Sequence, residues 1–334
     1  METLAVKYRP KDFEDVCGQE NIITILNNQL KEKCFKNCYL LCGPSGTGKT
    51  TLGRIFAKKL NNGRGSIIEI DAASNNGVDD VRQIIKDAQF LPLDGAYKIY
   101  IIDEVHMFST GAFNAMLKLI EEPPAKTIFI LCTTDPQKIP ATILSRVQRY
   151  NLTKINDRQI VERLETILKK ENINTYEMSA LQLIAKISKG GMRDSISVME
   201  KCLGFDKNLT LNNVTKALGI VGYDVMLDIL FSIQDKKSEY IFKVVDTIYQ
   251  QGMDIKLFIV NFIEFCLDLI KFKLSNNYEI SNLPSNYQEI ISKLKLTKDD
   301  LSDLIDGLIK LNASIKYESN PIVFVQAFLL RASL

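Results

Sequence analysis

The sequence GPSGTGKT, residues 43–50, decides the fold of the chain around it. It matches the pattern G-x-x-x-x-G-K-[ST] at every fixed position. An apolar run at residues 39–42 precedes it, and a stretch of helical character at residues 51–57 follows. A strand, a glycine-rich loop and a helix in this order hold phosphate oxygens with backbone N–H groups and with the positive end of the helix. The alternative, a glycine-rich turn without a ligand, leaves the correct flanks unexplained.

Two side chains of this loop have expected roles. Lys49 would reach the β- and γ-phosphates of ATP, and Thr50 would supply a hydroxyl to Mg²⁺. The residues expected to surround the phosphates are Gly43, Pro44, Ser45, Gly46, Thr47, Gly48, Lys49, Thr50 and Thr51.

A second apolar run, residues 98–102, ends in Asp103 and Glu104. Consecutive apolar residues are typical of a parallel strand covered on both faces, and ligands bind at the carboxyl ends of such strands. We therefore expect Asp103 to hold Mg²⁺, directly or through water. Glu104 is expected to orient or deprotonate the attacking water.

Two threonines follow a third expected strand, residues 127–132. A hydroxyl of Thr133 or Thr134 would touch the γ-phosphate or the attacking water, and ordinary turn chemistry before Pro136 is the alternative. His106, the only histidine, cannot form a triad or a metal site alone. We expect it on the surface side of the site, as a positioning or packing residue without a catalytic role.

The composition fits a protein of two or three domains. Its 334 residues are 46% hydrophobic and 25% charged, as in ordinary globular proteins. No apolar run approaches the roughly 20 residues of a membrane span, and the N-terminus has no secretory pattern, so we expect a cytoplasmic protein without membrane contact.

The net charge of +2 argues against a protein that wraps bare DNA alone. Residues 1–204 have 28 basic and 24 acidic side chains, against 14 and 16 in residues 205–334, so nucleic-acid contact would use the front half.

The chain has seven cysteines, an odd number, and no CxxC pair. This pattern argues against a disulfide framework and against a zinc ribbon. The spacing of Cys34, Cys38 and Cys42 invites a metal site, but Cys42 falls in the expected strand. The three would therefore not share one helical face, and buried thiols are the favoured interpretation.

The order of patterns predicts an α/β module followed by helices. Strands are expected near 38–42, 67–70, 98–102, 127–132 and 148–152, which implies a parallel five-stranded sheet with helices on both faces. Helices are then expected over 158–171, from about Ser179, and after Gly190-Gly191, with a polar linker at 205–213. Apolar helical spacing follows at 224–233, 239–250, 254–274, 286–294, 297–317 and 321–333. The expected domains are residues 1–152, 153–204 and 205–334.

Several stretches together resemble one family, the gamma/tau subunits of the bacterial DNA polymerase III clamp loader, which are AAA+ ATPases. These stretches are KYRPKDFEDVCGQENI (7–22), GPSGTGKT (43–50), IEIDAASNNGVDDVRQI (68–84), YIIDEVHMFSTGAFNAMLKLIEEPP (100–124), TTDPQKIPATILSRVQRY (133–150) and GGMRDSISVMEKC (190–202). The resemblance covers about residues 3–204 and continues more faintly beyond. It implies an AAA+ nucleotide-binding domain, a helical lid and an oligomerisation collar for the three expected domains. A monomeric helical bundle is the alternative to the collar.

The resemblance also implies roles for further residues. Arg146 matches an arginine finger that acts on ATP held by a neighbouring subunit, and Arg193 matches a second sensor on the lid. Thr134 matches the first sensor better than Thr133 does. The residues matching the segment against adenine are Tyr8, Arg9, Pro10 and Val16. The residues expected to contact DNA phosphates are Arg82, Ser109, Thr110 and Lys118.

The implied function is an ATP-hydrolysing motor subunit that opens a sliding clamp and loads it onto primer-template DNA during replication. It would work in a hetero- or homo-oligomeric ring of clamp-loader subunits, in a bacterial cytosol or encoded by a phage. The alternatives are another AAA+ DNA motor, for branch migration or helicase loading, and a non-hydrolysing stator.

Three departures from the family limit what is carried over. The zinc module between the phosphate-loop helix and the next strand is reduced to residues 58–66, so no zinc is expected. Val147 replaces a cysteine and is expected to pack. The chain ends at Leu334 without the tail of tau, so contacts with polymerase and helicase are not expected from it.

Overall fold

The computed structural model describes residues 2–65, 67–275, 283 and 287–334. The chain divides into two compact units, residues 1–203 and 204–334.

The first unit is built on a sheet of five parallel strands in the order β2-β3-β4-β1-β5. The strands are β1 Cys38–Cys42, β2 Ile67–Asp71, β3 Lys98–Asp103, β4 Thr127–Thr133 and β5 Gln148–Asn151. The five strands predicted from apolar runs are all present, and the predicted fold class is confirmed. Their side chains are buried on both faces at the centre of the sheet, which is why the runs read as continuously apolar.

Helices cover both faces of this sheet. They are α2 Glu20–Glu32, α3 Lys49–Leu60, α4 Val78–Ala88, α5 Thr110–Glu121 and α6 Ala141–Leu144, and a short helix with no buried residue, α1 Leu4–Lys7, precedes them. Alternate strand residues point to opposite faces. Leu40 and Phe129 therefore pack in the core with α4 and α5, whereas Leu41 and Ile130 pack in the core with α2 and α3. Val147 packs at the edge of the first of these cores, as predicted.

This topology brings three loops together. Strand β4 lies between β1 and β3, and all three run in the same direction. Their carboxyl ends therefore meet at one edge of the sheet, where the segments after Cys42, Asp103 and Thr133 begin. This edge is the usual ligand position in an open parallel sheet.

The rest of the first unit is a small helical lid, formed by α7 Asp157–Lys170, α8 Met178–Ile187 and α9 Met192–Phe205. Asn156 caps α7, because its side chain accepts a hydrogen bond of 2.9 Å from the N–H of Arg158. The apolar stripe Ile160, Leu164, Ile167 and Leu168 is buried, as the helical spacing predicted.

Every regular element in the described part of residues 204–334 is a helix. These are α10 Leu211–Leu218, α11 Tyr223–Gln234, α12 Ser238–Gln250, α13 Ile255–Ser275, α14 Gln288–Ser292, α15 Lys298–Ser314 and α16 Pro321–Ala332. One apolar core joins α11 to α16, with Phe258, Phe262 and Phe265 of α13 almost fully buried. The predicted helix at 286–294 starts at a residue outside the described ones, and the observed helix covers five residues of it.

The predicted linker at 205–213 was wrong at both ends. Helix α9 extends to Phe205, and α10 begins at Leu211. Thr210 caps α10 by accepting a hydrogen bond of 3.1 Å from the N–H of Asn213. The polar residues Asn212 and Asn213 thus belong to a first helical turn, where Asn side chains can bond the backbone as they do in loops.

No single helix among the described residues is long and apolar enough to cross a membrane. The pair Leu211–Leu218 and Tyr223–Gln234 meets that test only when joined, and the two are bent by 83°.

All seven cysteines are free thiols. Cys38 and Cys42 are buried in β1, as predicted, and burial raises the pKa of the Cys42 thiol. Cys34 is exposed, so the prediction of a buried thiol was wrong there. It lies in the loop between α2 and β1 and not in the strand.

Candidate nucleotide site

A cleft of about 920 Å³, including its open mouth, lies at the carboxyl edge of the sheet in the first unit. Five segments line it: the N-terminal segment, the phosphate loop, the end of β3, residues 155–163 and the start of α9. The predicted site residues on its wall are Tyr8, Arg9, Pro10, Val16, Ser45, Gly46, Thr47, Gly48, Lys49, Thr50, Thr51, Asp103, Glu104 and Arg193.

The phosphate loop curls around its own lysine. Gly46 and Gly48 have φ of +73° and +99°, which only glycine adopts without strain. Lys49 begins α3 and is 6% exposed. Its Nζ donates hydrogen bonds to the carbonyl oxygens of Gly43 at 2.9 Å and Pro44 at 3.0 Å. A buried cation at the N-terminus of a twelve-residue helix fits a ligand with several negative charges.

Thr50 and Asp103 lie side by side at the base of the cleft. The hydroxyl of Thr50 donates to Oδ2 of Asp103 at 2.7 Å. These are hard oxygen ligands on two rigid elements, and Mg²⁺ prefers such ligands together with phosphate oxygens and water. The residues present therefore fit Mg²⁺, which when bound would neutralise phosphate charge.

Glu104 is held against Thr134 across the cleft edge. Oε2 of Glu104 accepts hydrogen bonds from the N–H of Thr134 at 3.2 Å and from its hydroxyl at 2.9 Å. Thr133 is fully buried, and its hydroxyl accepts from the N–H of Asp135 at 3.0 Å. Of the two threonines left open by the sequence, Thr134 is thus the one joined to the candidate base.

His106 does not lie on the surface side of the site, so that prediction was wrong. Its side chain is only 10% exposed, and its Nδ1 lies 3.1 Å from the hydroxyl of Thr133 and 3.3 Å from Oε2 of Glu104. The cause is the short 3₁₀ turn Val105–Met107, which folds the chain back towards β4 directly after Glu104.

The N-terminal segment crosses the cleft as a strap, residues 4–10, tied to the lid. Glu171 accepts hydrogen bonds from the hydroxyl of Tyr8 and from Nζ of Lys7, the latter at 2.5 Å. The guanidinium of Arg163 donates to the carbonyl oxygen of Tyr8 at 3.1 Å. The hydrogen bonds from Lys7 and Tyr8 hold the pKa of Glu171 below its usual range, and the bond to Glu171 raises the pKa of Tyr8.

Sequence reasoning missed several residues of this wall. Cys17, Ile155, Arg163 and Ile196 also line the cleft beside the strap. They come from distant segments with no shared pattern, and each by itself reads as an ordinary core or surface residue. Their contribution follows only from the folding of the lid over the sheet.

The lid touches the phosphate loop directly. The N–H of Met192 donates to the carbonyl oxygen of Gly46 at 3.0 Å, at the start of α9. Gly46 and Gly191 approach so closely that a Cβ on Gly46 would lie 3.0 Å from the Cα of Gly191. This contact puts Arg193 at the cleft.

Arg146 is not brought to this cleft. It follows α6, and its side chain is 41% exposed. It forms an ion pair of 3.0 Å with Glu121 and donates to the carbonyl oxygen of Thr142 at 2.8 Å.

The four predicted DNA contacts also lie outside the cleft, at exposed positions of α4 and α5. Arg82 is paired with Asp79 at 2.9 Å, and Lys118 is exposed on α5. Ser109 caps α5 by accepting a hydrogen bond of 3.2 Å from the N–H of Ala112, and Thr110 is its first residue.

Family models match three consecutive parts of the chain. Residues 66–156 match the DNA polymerase III delta subunit, and residues 159–205 match the ATPase lid domain of a DNA polymerase III clamp loader subunit. Residues 209–334 match domain III of the DNA polymerase III subunits gamma and tau.

Curated relatives have names from the same family. DNA polymerase III subunit tau of Bacillus subtilis is 37% identical over 97% of this chain and 62% of that protein. The gamma subunit of Buchnera aphidicola from Acyrthosiphon pisum is 33% identical over 79% of each chain. Across the first three relatives, this chain spans 62%, 40% and 46% of their length.

Among solved structures, RuvB of Thermotoga maritima is similar to this chain in fold. The K64R mutant has a TM-score of 0.54 at 21% identity, covering 68% of this chain and 79% of RuvB. At this identity the likeness concerns the AAA+ fold alone. The family models and the curated relatives identify the family as well as the fold. The chain belongs to the gamma/tau family of DNA polymerase III clamp loader subunits.

Proposed function

We propose that this chain is the ATP-hydrolysing motor subunit of a sliding-clamp loader, acting in the cytosol of a bacterium or of a phage-infected cell. The observation that supports this most directly is the geometry at the ends of β1, β3 and β4. A buried lysine, a hydroxyl–carboxylate pair and an anchored glutamate face the same cleft. A non-hydrolysing stator would bind ATP without needing the anchored glutamate, Glu104.

The residues divide the work of phosphoryl transfer. Lys49 and the N-terminus of α3 bind the phosphates, and Thr50 with Asp103 holds Mg²⁺. Glu104 orients or deprotonates the attacking water, and Thr134 holds the carboxylate of Glu104 in place. Tyr8, Arg9, Pro10 and Val16 enclose the base, and Arg193 approaches from the lid.

An assembly completes the site. Arg146 is exposed and does not line its own cleft, so its guanidinium can enter the site of an adjoining subunit once the pair with Glu121 opens. We infer that residues 1–152 bind nucleotide, residues 153–204 form the lid, and residues 205–334 form a collar that joins subunits in a ring.

DNA would bind on the exposed positions of α4 and α5. Arg82 and Lys118 supply positive charge, while Ser109 and Thr110 lie at the N-terminus of α5, where backbone N–H groups suit a phosphate. Primer-template DNA would thereby stimulate hydrolysis and release the closed clamp.

The test is the ATPase rate of the purified chain, alone and with companion loader subunits, a sliding clamp and primed DNA. We expect a low basal rate that rises when all components are present, and loss of ATP binding in Lys49→Ala. A wild-type chain that neither binds nor hydrolyses ATP in any of these mixtures would refute the proposal. Binding without hydrolysis would indicate a stator.

A further inference from the structure

His106 is a nearly buried imidazole in the candidate site, and the sequence left open whether it positions another group or only packs. It does not line the cleft, yet its Nδ1 lies 3.3 Å from Oε2 of Glu104. Two observations decide what it does there: how the carboxylate of Glu104 is held, and how the imidazole itself is fixed.

The carboxylate of Glu104 is anchored by one oxygen only. Its contacts with the N–H and hydroxyl of Thr134 and with His106 all involve Oε2. Within the part of the chain that the structure describes, Oε1 forms no hydrogen bond or ion pair, and Glu104 faces the cleft. One oxygen is therefore an anchor, and the other is available to a water molecule.

The backbone of Glu104 does not by itself fix this orientation. Its φ of +47° lies in the left-handed region, which an L-residue with a long side chain adopts at a cost. The side chain leaves the end of β3 at a sharp turn, and its terminal torsion rotates almost freely without contacts. Contacts to Oε2 must therefore set the direction of Oε1.

The imidazole of His106 is fixed from behind. Its Nδ1 lies 3.1 Å from the hydroxyl of Thr133, which is fully buried and which accepts a hydrogen bond from the N–H of Asp135. Val105, beside it in the same turn, is 1% exposed. The ring thus joins the end of β4 to the carboxylate after β3.

We propose that His106 is a positioning residue for ATP hydrolysis, whose Nδ1, hydrogen-bonded to the hydroxyl of Thr133, lies against Oε2 of Glu104 and so directs Oε1 towards the attacking water. This inference rests on the proposed ATPase activity. Together with the two hydrogen bonds from Thr134, this polar contact holds the carboxylate in a single orientation. Because His106 does not reach the cleft, its loss should slow the chemical step and leave ATP binding unchanged.

The test compares His106→Leu with His106→Asn in the full chain. Leucine fills a similar volume without a polar atom, whereas the side-chain amide of asparagine can occupy the place of Nδ1. We expect His106→Leu to lower kcat roughly 10- to 50-fold, less than the roughly 10²–10⁴-fold expected for loss of a general base. KM and the dissociation constant of a fluorescent ATP analogue should stay within about twofold. His106→Asn should recover most of the rate.

A double-mutant cycle with Glu104→Gln separates positioning from a structural role. If His106 acts through the carboxylate, His106→Leu should change the residual rate of Glu104→Gln by less than about twofold. A wild-type rate in His106→Leu would overturn the inference while the proposed ATPase stands. Equal losses in His106→Leu and His106→Asn, with a lowered melting temperature, would also overturn it. A wild-type chain without ATPase activity would refute the proposed function itself.

Discussion

Arg146 illustrates how much a single residue depends on what surrounds it. Its guanidinium is bound by Glu121 and by a carbonyl oxygen, and by itself it is an ordinary exposed ion pair of little energetic value. Its proposed role exists only between subunits.

We expect Arg146→Ala to bind ATP within about twofold of the wild type, because Arg146 does not line its own cleft. Hydrolysis stimulated by companion subunits and primed DNA should fall roughly 10³-fold, since a finger supplies charge only in the transition state. Steady-state rates with and without DNA measure this. Arg158→Ala is the matched control, because Arg158 is also exposed and paired, with Glu162 at 3.1 Å. Stimulation that survives in Arg146→Ala would place the finger elsewhere.

At this scale the sequence predicted well those residues that belong to a local motif. Lys49 and Thr50 belong to a motif that itself specifies a strand, a loop and a helix. Asp103 and Glu104 follow a second parallel strand whose carboxyl end lies at the same edge of the sheet. His106 was misplaced, since a periodic pattern does not show a single 3₁₀ turn. Cys17 and Ile196 could not be found, because only tertiary folding brings them to the cleft.

Among the elements, the N-terminal strap has the clearest link between contacts and binding. Tyr8 lines the cleft, and it is held by Glu171 at the end of α7. The pKa of Glu171 is lowered, so its carboxylate holds the strap above that pKa and releases it when acid protonates the group.

We expect Glu171→Gln to weaken ATP binding roughly 3- to 10-fold, because the neutral amide loses the charge-assisted hydrogen bonds with Lys7 and Tyr8. Titration with a fluorescent ATP analogue at neutral pH measures the effect. Glu165→Gln is the control, since Glu165 lies on the same helix and bonds a lysine and a tyrosine, Lys169 and Tyr176, outside the cleft. If the two variants bind ATP with equal affinity, the strap does not support the adenine of ATP.

Strands were easier to predict than the boundaries of helices. The three central strands are short apolar runs that the sheet buries, and the alternation of strands with helices also indicated the edge strands β2 and β5. The start of α10 was missed, because its cap and first turn contain the same Thr and Asn residues that favour a loop.

For the whole molecule, the two units have separate cores. All residues that line the cleft lie between Ala5 and Ile196, within the first unit. The core of the second unit is formed by its own helices, α11 to α16.

A fragment of residues 1–205, ending with α9, should therefore bind ATP with a dissociation constant within about threefold of the full chain. It should show no stimulation by companion subunits and DNA, because the proposed collar is removed. Calorimetric titration and steady-state ATPase assays measure the two quantities. Circular dichroism would first establish that the fragment is folded. A folded fragment without affinity for ATP would mean that residues 204–334 contribute to the site.

The short contact between Gly46 and Met192 has a consequence for communication. The carbonyl oxygen of Gly46 in the phosphate loop accepts hydrogen bonds from the N–H groups of Met192 and Arg193, the first two residues of a fourteen-residue helix. A small displacement of Met192 at the start of α9 would become a larger displacement at Phe205, the other end of the same helix. We therefore expect nucleotide binding in one subunit of the proposed ring to be transmitted to the adjoining subunits as a rotation of the lid.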